Sequence, residues 1–171
     1  MPSGKTSVRG MRILSFWLVA ALVILLDQGT KAAVREVAPD LGRFGTLIPG
    51  VIDLVHVENT GAAFSIGTGA GIIFIVLALV VVAGTTAFVY TQDIPMALAC
   101  SLACVAGGGV GNMVDRILFG SVTDFLATTF IDFPVFNVAD IFVSCGIVVS
   151  FILFLRWDKR REQPDDTMVG E

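Results

Sequence analysis

The sequence predicts an all-α membrane protein with four transmembrane helices and a small extracytoplasmic β-cradle or hairpin between helices 1 and 2. Of its 171 residues, 55% are hydrophobic, which is more than a typical soluble domain carries. The apolar residues lie in four long uncharged runs, at residues 13–26, 67–92, 94–114 and 141–155. A helix needs about 20 residues to cross the hydrocarbon layer. Four spans are therefore the simplest interpretation.

The first and fourth runs are shorter than a span, so they constrain where their helices begin and end. The first run reaches the required length only if its helix continues through Asp27 toward Val34. The fourth reaches it only if its helix begins near Phe136, before Asp140. We therefore expect Asp27 and Asp140 at helix ends, close to the water interface. We also expect helix 1 to be retained rather than cleaved as a signal peptide, because three further spans follow it.

The segments between the spans predict a hairpin on one side of the membrane. Residues 35–66 contain a turn signal at Pro49 and Gly50, and a run rich in β-branched residues follows at 51–57. Residues 117–135 carry several phenylalanines, which favour a segment that dips into the membrane interface. The sequence thus predicts one short hairpin and one interfacial loop.

Basic residues favour the cytoplasmic side of a membrane, and here they lie near both termini. The basic residues before the first span and after the last are Lys5, Arg9, Arg12, Arg156, Lys159, Arg160 and Arg161. Four spans place both termini on the same side, so the two groups agree on cytoplasmic termini. Within that topology we assign residues 1–157 to a single four-helix domain and residues 158–171 to a charged, disordered cytoplasmic tail.

Ionisable and amide side chains beside the spans gather at one face of the membrane. Such groups are costly in a bilayer and therefore indicate function by default. The set at the extracytoplasmic face is Asp27, Asn59, Asn112, Asp115, Arg116, Asp124, Asn137 and Asp140. The opposite face carries ordinary flanking charges. We therefore expect the functional site at the extracytoplasmic face.

Helical spacing and small residues favour contacts within this set. Asn112 and Asn137 each precede an aspartate by three residues, so each pair shares one helix face. The glycine-rich stretch at residues 107–111 allows neighbouring helices to approach closely. Convergence of two helix ends would then place Asp124 beside Asp140.

Two carboxylates in contact share a proton, because both cannot stay charged cheaply. One then acts as a base on water that attacks a peptide carbonyl, and the other acts as an acid. A nucleophile activated by histidine is not favoured, because the one histidine, His56, lies in the first outer segment. We expect the cysteines to be buried packing residues within the spans, with no metal site: Cys100, Cys104 and Cys145.

Several of these residues also have structural interpretations, which spacing alone leaves open. Asp27 is consistent with a marker of the interface, Asp115 with structural support beside Arg116, and His56 with an ordinary surface residue. The residues assigned to solvated loops are Asp53, Glu58 and Asp132. On spacing alone, a catalytic pair and a polar structural cluster are equally supported.

Two other classes of protein use the same residue types. A small ion or proton transporter needs polar groups along its path, often near the bilayer midplane. The interior of each predicted span is apolar here, which argues against a conduit. A non-catalytic assembly factor held together by polar contacts remains open at this point.

Five motifs in chain order resemble the signature blocks of the bacterial lipoprotein signal peptidase family (signal peptidase II). Each block alone is weak, but five in order on a four-span chain are highly specific. The blocks are Asp27-Gln28-Gly29-Thr30-Lys31, Asn59-Thr60-Gly61-Ala62-Ala63-Phe64-Ser65, Gly111-Asn112-Met113-Val114-Asp115-Arg116, Gly120-Ser121-Val122-Thr123-Asp124-Phe125 and Phe136-Asn137-Val138-Ala139-Asp140.

The resemblance implies a membrane-embedded aspartic endopeptidase of the bacterial cytoplasmic (inner) membrane. Such an enzyme removes the signal peptide from prolipoproteins, on the amino side of a cysteine that carries a diacylglyceryl group. The matching catalytic residues are Asp124 and Asp140. The matching supporting or substrate-binding residues are Asp27, Asn59, Asn112, Asp115, Arg116 and Asn137. We expect no cofactor, no metal and no nucleic acid, membrane lipids as neighbours, and function as a monomer.

Overall fold

Four helices and three strands make up the part of the chain that this computed structural model describes, residues 3–61 and 71–162. In chain order they are α1 (Ser3–Val37), β1 (Gly42–Ile48), β2 (Ile52–Asn59), α2 (Gly71–Thr91), α3 (Met96–Phe119), β3 (Val122–Thr128) and α4 (Val138–Glu162). All four helices are long and apolar enough to cross a membrane. The predicted four-span architecture with a small β-sheet is therefore confirmed.

Apolar side chains on the outside of the helices show that the bundle is built for a lipid environment. Nearly all of α2 is at least partly exposed, and Val89 is its one buried residue among those described. Leu25, Val80 and Phe151 are exposed on three different helices. A soluble protein does not leave such a continuous apolar surface in water. Helices suit this environment because their backbone hydrogen bonds are made within each span, as the bilayer requires.

Helix bounds differ from the expectation at two places that matter for the site. Helix α1 continues to Val37, so Asp27 does not lie at a helix end as we expected; it lies within the helix and is fully buried. Helix α3 runs to Phe119 and ends at Gly120, whose φ of 76° lies in the left-handed region. Asp115 therefore belongs to the last turns of α3.

The fourth helix extends beyond the boundary that we assigned to the membrane domain. Helix α4 begins at Val138 and runs to Glu162, past Trp157. Residues 158–162 of the tail that we predicted to be disordered are therefore helical, and residues 163–171 lie outside the described residues.

Helix α3 lies at the centre of the bundle, and its glycines allow α1 and α4 to pack against its backbone. A Cβ atom on Gly107 would lie 2.8 Å from the carbonyl oxygen of Ala20 in α1. A Cβ atom on Gly108 would lie 2.6 Å from the carbonyl oxygen of Ala139 in α4. Real Cβ atoms do not approach so closely, so both positions require glycine. The predicted role of the glycine-rich stretch is confirmed.

The three strands form one antiparallel sheet in the order β1-β2-β3. The predicted hairpin between helices 1 and 2 is the pair β1 and β2. The third strand comes from the segment that we expected to be an interfacial loop, and it pairs Asp124 with Val57 of β2. Strand β3 is an edge strand of the sheet but is almost fully buried, because it pairs with β2 and also contacts α1 and α3. Its lack of alternation between buried and exposed residues explains why the pattern did not predict a strand.

Two residues are placed differently from their predicted environments. His56 was expected at the surface, but only 4% of it is exposed, and its Nδ1 lies 2.6 Å from the backbone oxygen of Ala38. This contact joins His56, on β2, to the residue that follows α1. Cys145 was expected to be a buried packing residue, but it is exposed on α4.

Replacing Gly108 with alanine should destabilise the bundle by about 1–3 kcal/mol, because the added methyl group meets the backbone of α4. Gly109 provides the matched control, since its Cβ would meet only the Ala78 side chain, at 3.9 Å. Thermal unfolding in detergent micelles measures both variants. Equal midpoints for Gly108→Ala and Gly109→Ala would contradict the close approach of α3 and α4.

Candidate functional site

A pocket of about 450 Å³ opens where the ends of α3 and α4 meet the sheet. Asp124 enters it from β3 and is almost completely buried, with 3% of its surface exposed. Asp140 enters it from the first turn of α4. The other polar residues that line the pocket include Asn59, Asn112 and Arg116. The structure thus brings together residues from four separate elements of the chain.

Asn137 lies between the two aspartates and binds both. Its side-chain Nδ2 donates to Asp124 Oδ1 at 2.6 Å. Its backbone N–H donates to Asp140 Oδ2 at 3.0 Å, while its Oδ1 accepts from the Asp140 backbone N–H at 3.0 Å. This reciprocal pair is a capping box at the start of α4. Asn137, the residue that caps the start of α4, therefore also holds both carboxylates.

Two further amides complete the hydrogen bonding of the aspartates. Asn59 Nδ2, from the end of β2, donates to Asp124 Oδ2 at 2.9 Å. Asn112 Nδ2, from α3, donates to Asp140 Oδ1 at 2.8 Å. Every oxygen of the two carboxylates thus accepts an N–H from the protein, which fixes the planes of both groups.

The ionisation of Asp124 is set by competing effects. Burial raises the pKa of Asp124 to about 6, and the nearby negative charge of Asp140 also raises it. Hydrogen bonds from Asn59 and Asn137 lower this pKa, as does the positive charge of Lys31. The balance leaves Asp124 able to hold a proton at a pH where an ordinary aspartate is fully charged.

A fully buried ion cluster lies behind the pocket. Lys31 Nζ lies 2.8 Å from Asp27 Oδ2 and 3.3 Å from Asp115 Oδ2, and the side chains of all three residues are inaccessible to solvent. Gln28 donates to both carboxylates from Nε2, at 3.1 Å each. A Cβ atom on Gly111 would collide with the Asp27 carboxylate, so the cluster also requires this glycine.

The two carboxylates of this cluster reach the backbone next to each pocket aspartate. Asp27 Oδ1 accepts from the N–H of Ala139, the residue before Asp140, at 3.0 Å. Asp115 Oδ2 accepts from the N–H of Thr123, the residue before Asp124, at 3.0 Å. The cluster therefore holds the start of α4 and strand β3 in position. Asp27 is not a marker of the interface, and Asp115 has the structural contacts that one interpretation expected.

Arg116 lines the pocket and binds two backbone carbonyl groups rather than the neighbouring Asp115. Its Nη2 donates to the carbonyl oxygen of Gly61 at 3.0 Å, and its Nη1 donates to that of Asn112 at 3.2 Å. Its guanidinium also lies over the ring of Phe74, 4.8 Å from the ring centre. Arg116 therefore links the end of α3 to the segment that follows β2.

Sequence reasoning missed three members of this assembly: Gln28, Lys31 and Arg35. Arg35 Nη1 donates to Thr123 Oγ1 at 2.9 Å and lies 3.6 Å from Asp115 Oδ1. Lys31 belongs to the first motif block but was not among the predicted site residues. Its spacing of four residues from Asp27 on an otherwise apolar helix was the available signal.

The chain is similar to known proteins over most of its length. A family model described as signal peptidase (SPase) II matches residues 19–156, which include every pocket residue named above. The chain belongs to the signal peptidase II family. A lipoprotein signal peptidase of Microcystis aeruginosa is 39% identical over 138 residues, or 80% of this chain and 89% of the relative. Another from Enterococcus faecalis is 34% identical over 151 residues, or 86% of this chain and 92% of the relative.

Two solved structures of bacterial membrane enzymes share this fold. A bacterial membrane enzyme determined by the in meso method at 2.3 Å resolution superposes with a TM-score of 0.77 at 26% identity, covering 88% of this chain and 93% of that one. A second, at 1.9 Å resolution, gives a TM-score of 0.72 at 28% identity, covering 82% of this chain and 92% of that one. The protein is therefore a multi-pass membrane peptidase of the signal peptidase II family.

Removing the negative charge of Asp115 should cost this signal peptidase II protein about 3–5 kcal/mol of stability, because the change weakens a buried ion cluster. Asp53→Asn is the matched control: Asp53 pairs with Arg43 on the solvent-exposed hairpin, where solvent screens the pair. Denaturant unfolding in micelles should show a large loss for Asp115→Asn and little change for Asp53→Asn. Similar midpoints for the two variants would contradict the role of the cluster.

Proposed function

We propose that the protein is a membrane-embedded aspartic endopeptidase that removes the signal peptide from diacylglyceryl-modified prolipoproteins. It cleaves on the amino side of the lipidated cysteine, and Asp124 and Asp140 form its catalytic pair. The observation that carries this proposal is the position of Asn137, which holds both carboxylates at one pocket. The lipoprotein signal peptidases that the chain resembles support the choice of substrate.

The mechanism follows from a proton shared by the two carboxylates. In the active form one aspartate is ionised and the other is protonated. The ionised aspartate takes a proton from water as its oxygen attacks the peptide carbonyl, and the protonated one donates to the carbonyl oxygen. The tetrahedral intermediate then breaks the C–N bond, and a proton passes to the leaving amine. The products are a signal peptide carboxylate and the free amino group of the lipidated cysteine.

The remaining pocket residues have supporting roles in this mechanism. Asn59 and Asn112 orient the carboxylates by donating to Asp124 and Asp140. Arg116 shapes the mouth of the pocket through its bond to Gly61. Asp27 and Asp115 hold the backbone next to the two pocket aspartates, and Asn137 binds both of those aspartates directly.

The pocket suits a substrate that remains partly in the membrane. Beyond the aspartates its walls are largely apolar and include Phe136, Ile141 and Cys145. Of these three residues, Ile141 and Cys145 are exposed, and both lie on the membrane-spanning helix α4. A diacylglyceryl group can therefore stay in lipid while the adjacent peptide bond reaches Asp124. No extraction of the acyl chains into water is required, which would be costly.

The proposed topology places this pocket at the extracytoplasmic face of the bacterial inner membrane, with both termini in the cytoplasm. The positive-inside rule supports this orientation, since Arg12 and the basic last turn of α4 lie at the opposite end of the bundle. We propose that the protein works as a monomer surrounded by membrane lipids. The described residues that line the pocket all belong to this chain, so the proposed chemistry needs no second copy.

Asp124→Asn and Asp140→Asn should each reduce cleavage of a diacylglyceryl-modified precursor by about 10⁴-fold or more, because the pair loses its shared acid and base. Purified protein and one lipidated precursor provide the assay, with product measured by gel shift. Both variants should accumulate in the membrane in normal amounts. Asp53→Asn is the control for the substitution itself. Normal turnover by either pocket variant would refute the assignment.

Two further measurements on the wild type separate this proposal from the other classes. Activity should survive chelation, because the proposed mechanism uses carboxylates alone; loss of activity restored by zinc would point to a metalloenzyme. Proton flux through vesicles that contain only this protein would instead favour transport.

The value of kcat/KM should fall as the pH rises through about 6, because the pair then loses its shared proton. The sign follows from the raised pKa of Asp124: burial favours the protonated form, so the proton is held up to this pH. Initial rates on one lipidated precursor, taken across the acidic and alkaline sides of that pH at constant ionic strength, measure this limb. An alkaline limb absent across that range would contradict a shared proton on Asp124.

A further inference from the structure

Lys31 is a cationic residue with no exposure to solvent, within a membrane-spanning helix. A lysine ammonium has three N–H groups, and the structure provides three acceptors. They are Asp27 Oδ2 at 2.8 Å, Asn112 Oδ1 at 2.8 Å and Asp115 Oδ2 at 3.3 Å. The two carboxylates belong to the ion cluster, but the bond to Asn112 leads directly into the pocket.

The bond from Lys31 determines which atom of Asn112 faces Asp140. An ammonium can only donate hydrogen bonds, so the Asn112 amide must present its oxygen to Lys31. The same oxygen also accepts from Asn137 Nδ2, at 3.1 Å. The nitrogen of the amide is then directed to Asp140 Oδ1, to which it donates at 2.8 Å. Without Lys31, one of the two donors that hold the Asn112 oxygen is lost.

We propose that Lys31 is a positioning residue for the peptidase reaction, which acts through Asn112 to hold the Asp140 carboxylate in its reactive orientation. This inference rests on the proposed function of the Asp124–Asp140 pair. Lys31 does not line the pocket and contacts neither Asp124 nor Asp140 directly, so it is not a catalytic residue.

The charge of Lys31 gives its role a second, independent readout. Lys31 lowers the pKa of Asp124, against the burial that raises it. The other charged groups that act on Asp124 are Asp140 from α4 and Arg116 from α3. Removing the positive charge of Lys31 should therefore raise the pKa of Asp124, so that the pair keeps its proton to a higher pH.

A charge-balanced double variant separates this role from folding. Lys31→Met alone would leave the carboxylates of Asp27 and Asp115 buried without their cation, which threatens folding. Lys31→Met combined with Asp27→Asn removes one charge of each sign. The amide that Asp27→Asn introduces keeps an oxygen for the Ala139 N–H that Asp27 now binds. Asp27→Asn alone is the reference for the loss of that carboxylate.

Relative to Asp27→Asn, the double variant should show kcat lower by about 10²-fold, the cost of a misplaced reactive group. KM should change little, because Lys31 does not line the pocket. The alkaline limb of kcat/KM should move to higher pH, which a purely structural residue would not cause. In an Asn112→Leu background, adding Lys31→Met to Asp27→Asn should lower kcat no further, since the path from Lys31 through Asn112 is already broken.

A folded double variant whose kcat and alkaline limb match those of Asp27→Asn would overturn the proposal. Lys31→Met with Asp115→Asn is a second balanced pair, used if the first does not accumulate in membranes. Failure of both pairs to accumulate would assign Lys31 a structural role alone and would also overturn it. Cleavage by the wild type, and its loss in Asp124→Asn, are measured first, so failure of the proposed function is recognised separately.

Discussion

The buried ion cluster of Asp27, Lys31 and Asp115 is the interaction on which the rest of the site depends. It joins α1 to α3 inside a region where isolated charges are expensive. Because a carboxylate oxygen can accept more than one hydrogen bond, the cluster also binds the N–H groups of Ala139 and Thr123. Those two residues directly precede the pocket aspartates. The same ion cluster that joins two helices of the bundle thus also holds the proposed active site in position.

Close helix packing makes this cluster possible. Glycines in α3 let the backbones of α1 and α4 approach until a single methyl group would collide with them. At Gly111 the space is taken by the Asp27 carboxylate itself. The polar groups can then reach each other directly across the interfaces. Their desolvation is offset by direct ion pairs and hydrogen bonds, and this compensation holds only while the geometry is kept.

The small sheet gives the proposed pair its asymmetry. Asp140 lies in a helix capping box, whereas Asp124 lies on a buried edge strand that contacts β2, α1 and α3. Different surroundings favour different protonation states for two otherwise identical groups, as an acid and a base require. Ile141 and Cys145 belong to the apolar wall of the pocket and are exposed on the membrane-spanning helix α4. The arrangement therefore suits a lipid-bearing peptide whose reactive bond lies at the membrane surface.

The sequence by itself determined the four spans, the hairpin and the group of eight polar residues predicted to form the site, because long apolar runs and costly polar groups are local signals. The order of the motif blocks also determined the family. Only the tertiary structure revealed strand β3, the burial of His56 and the contacts of Lys31. These depend on contacts between residues such as Lys31 and Asn112, which are 81 positions apart. The sequence around Lys31 shows that a lysine lies within an apolar helix, where its burial is costly. Two of the three partners that offset this cost, Asn112 and Asp115, lie on α3.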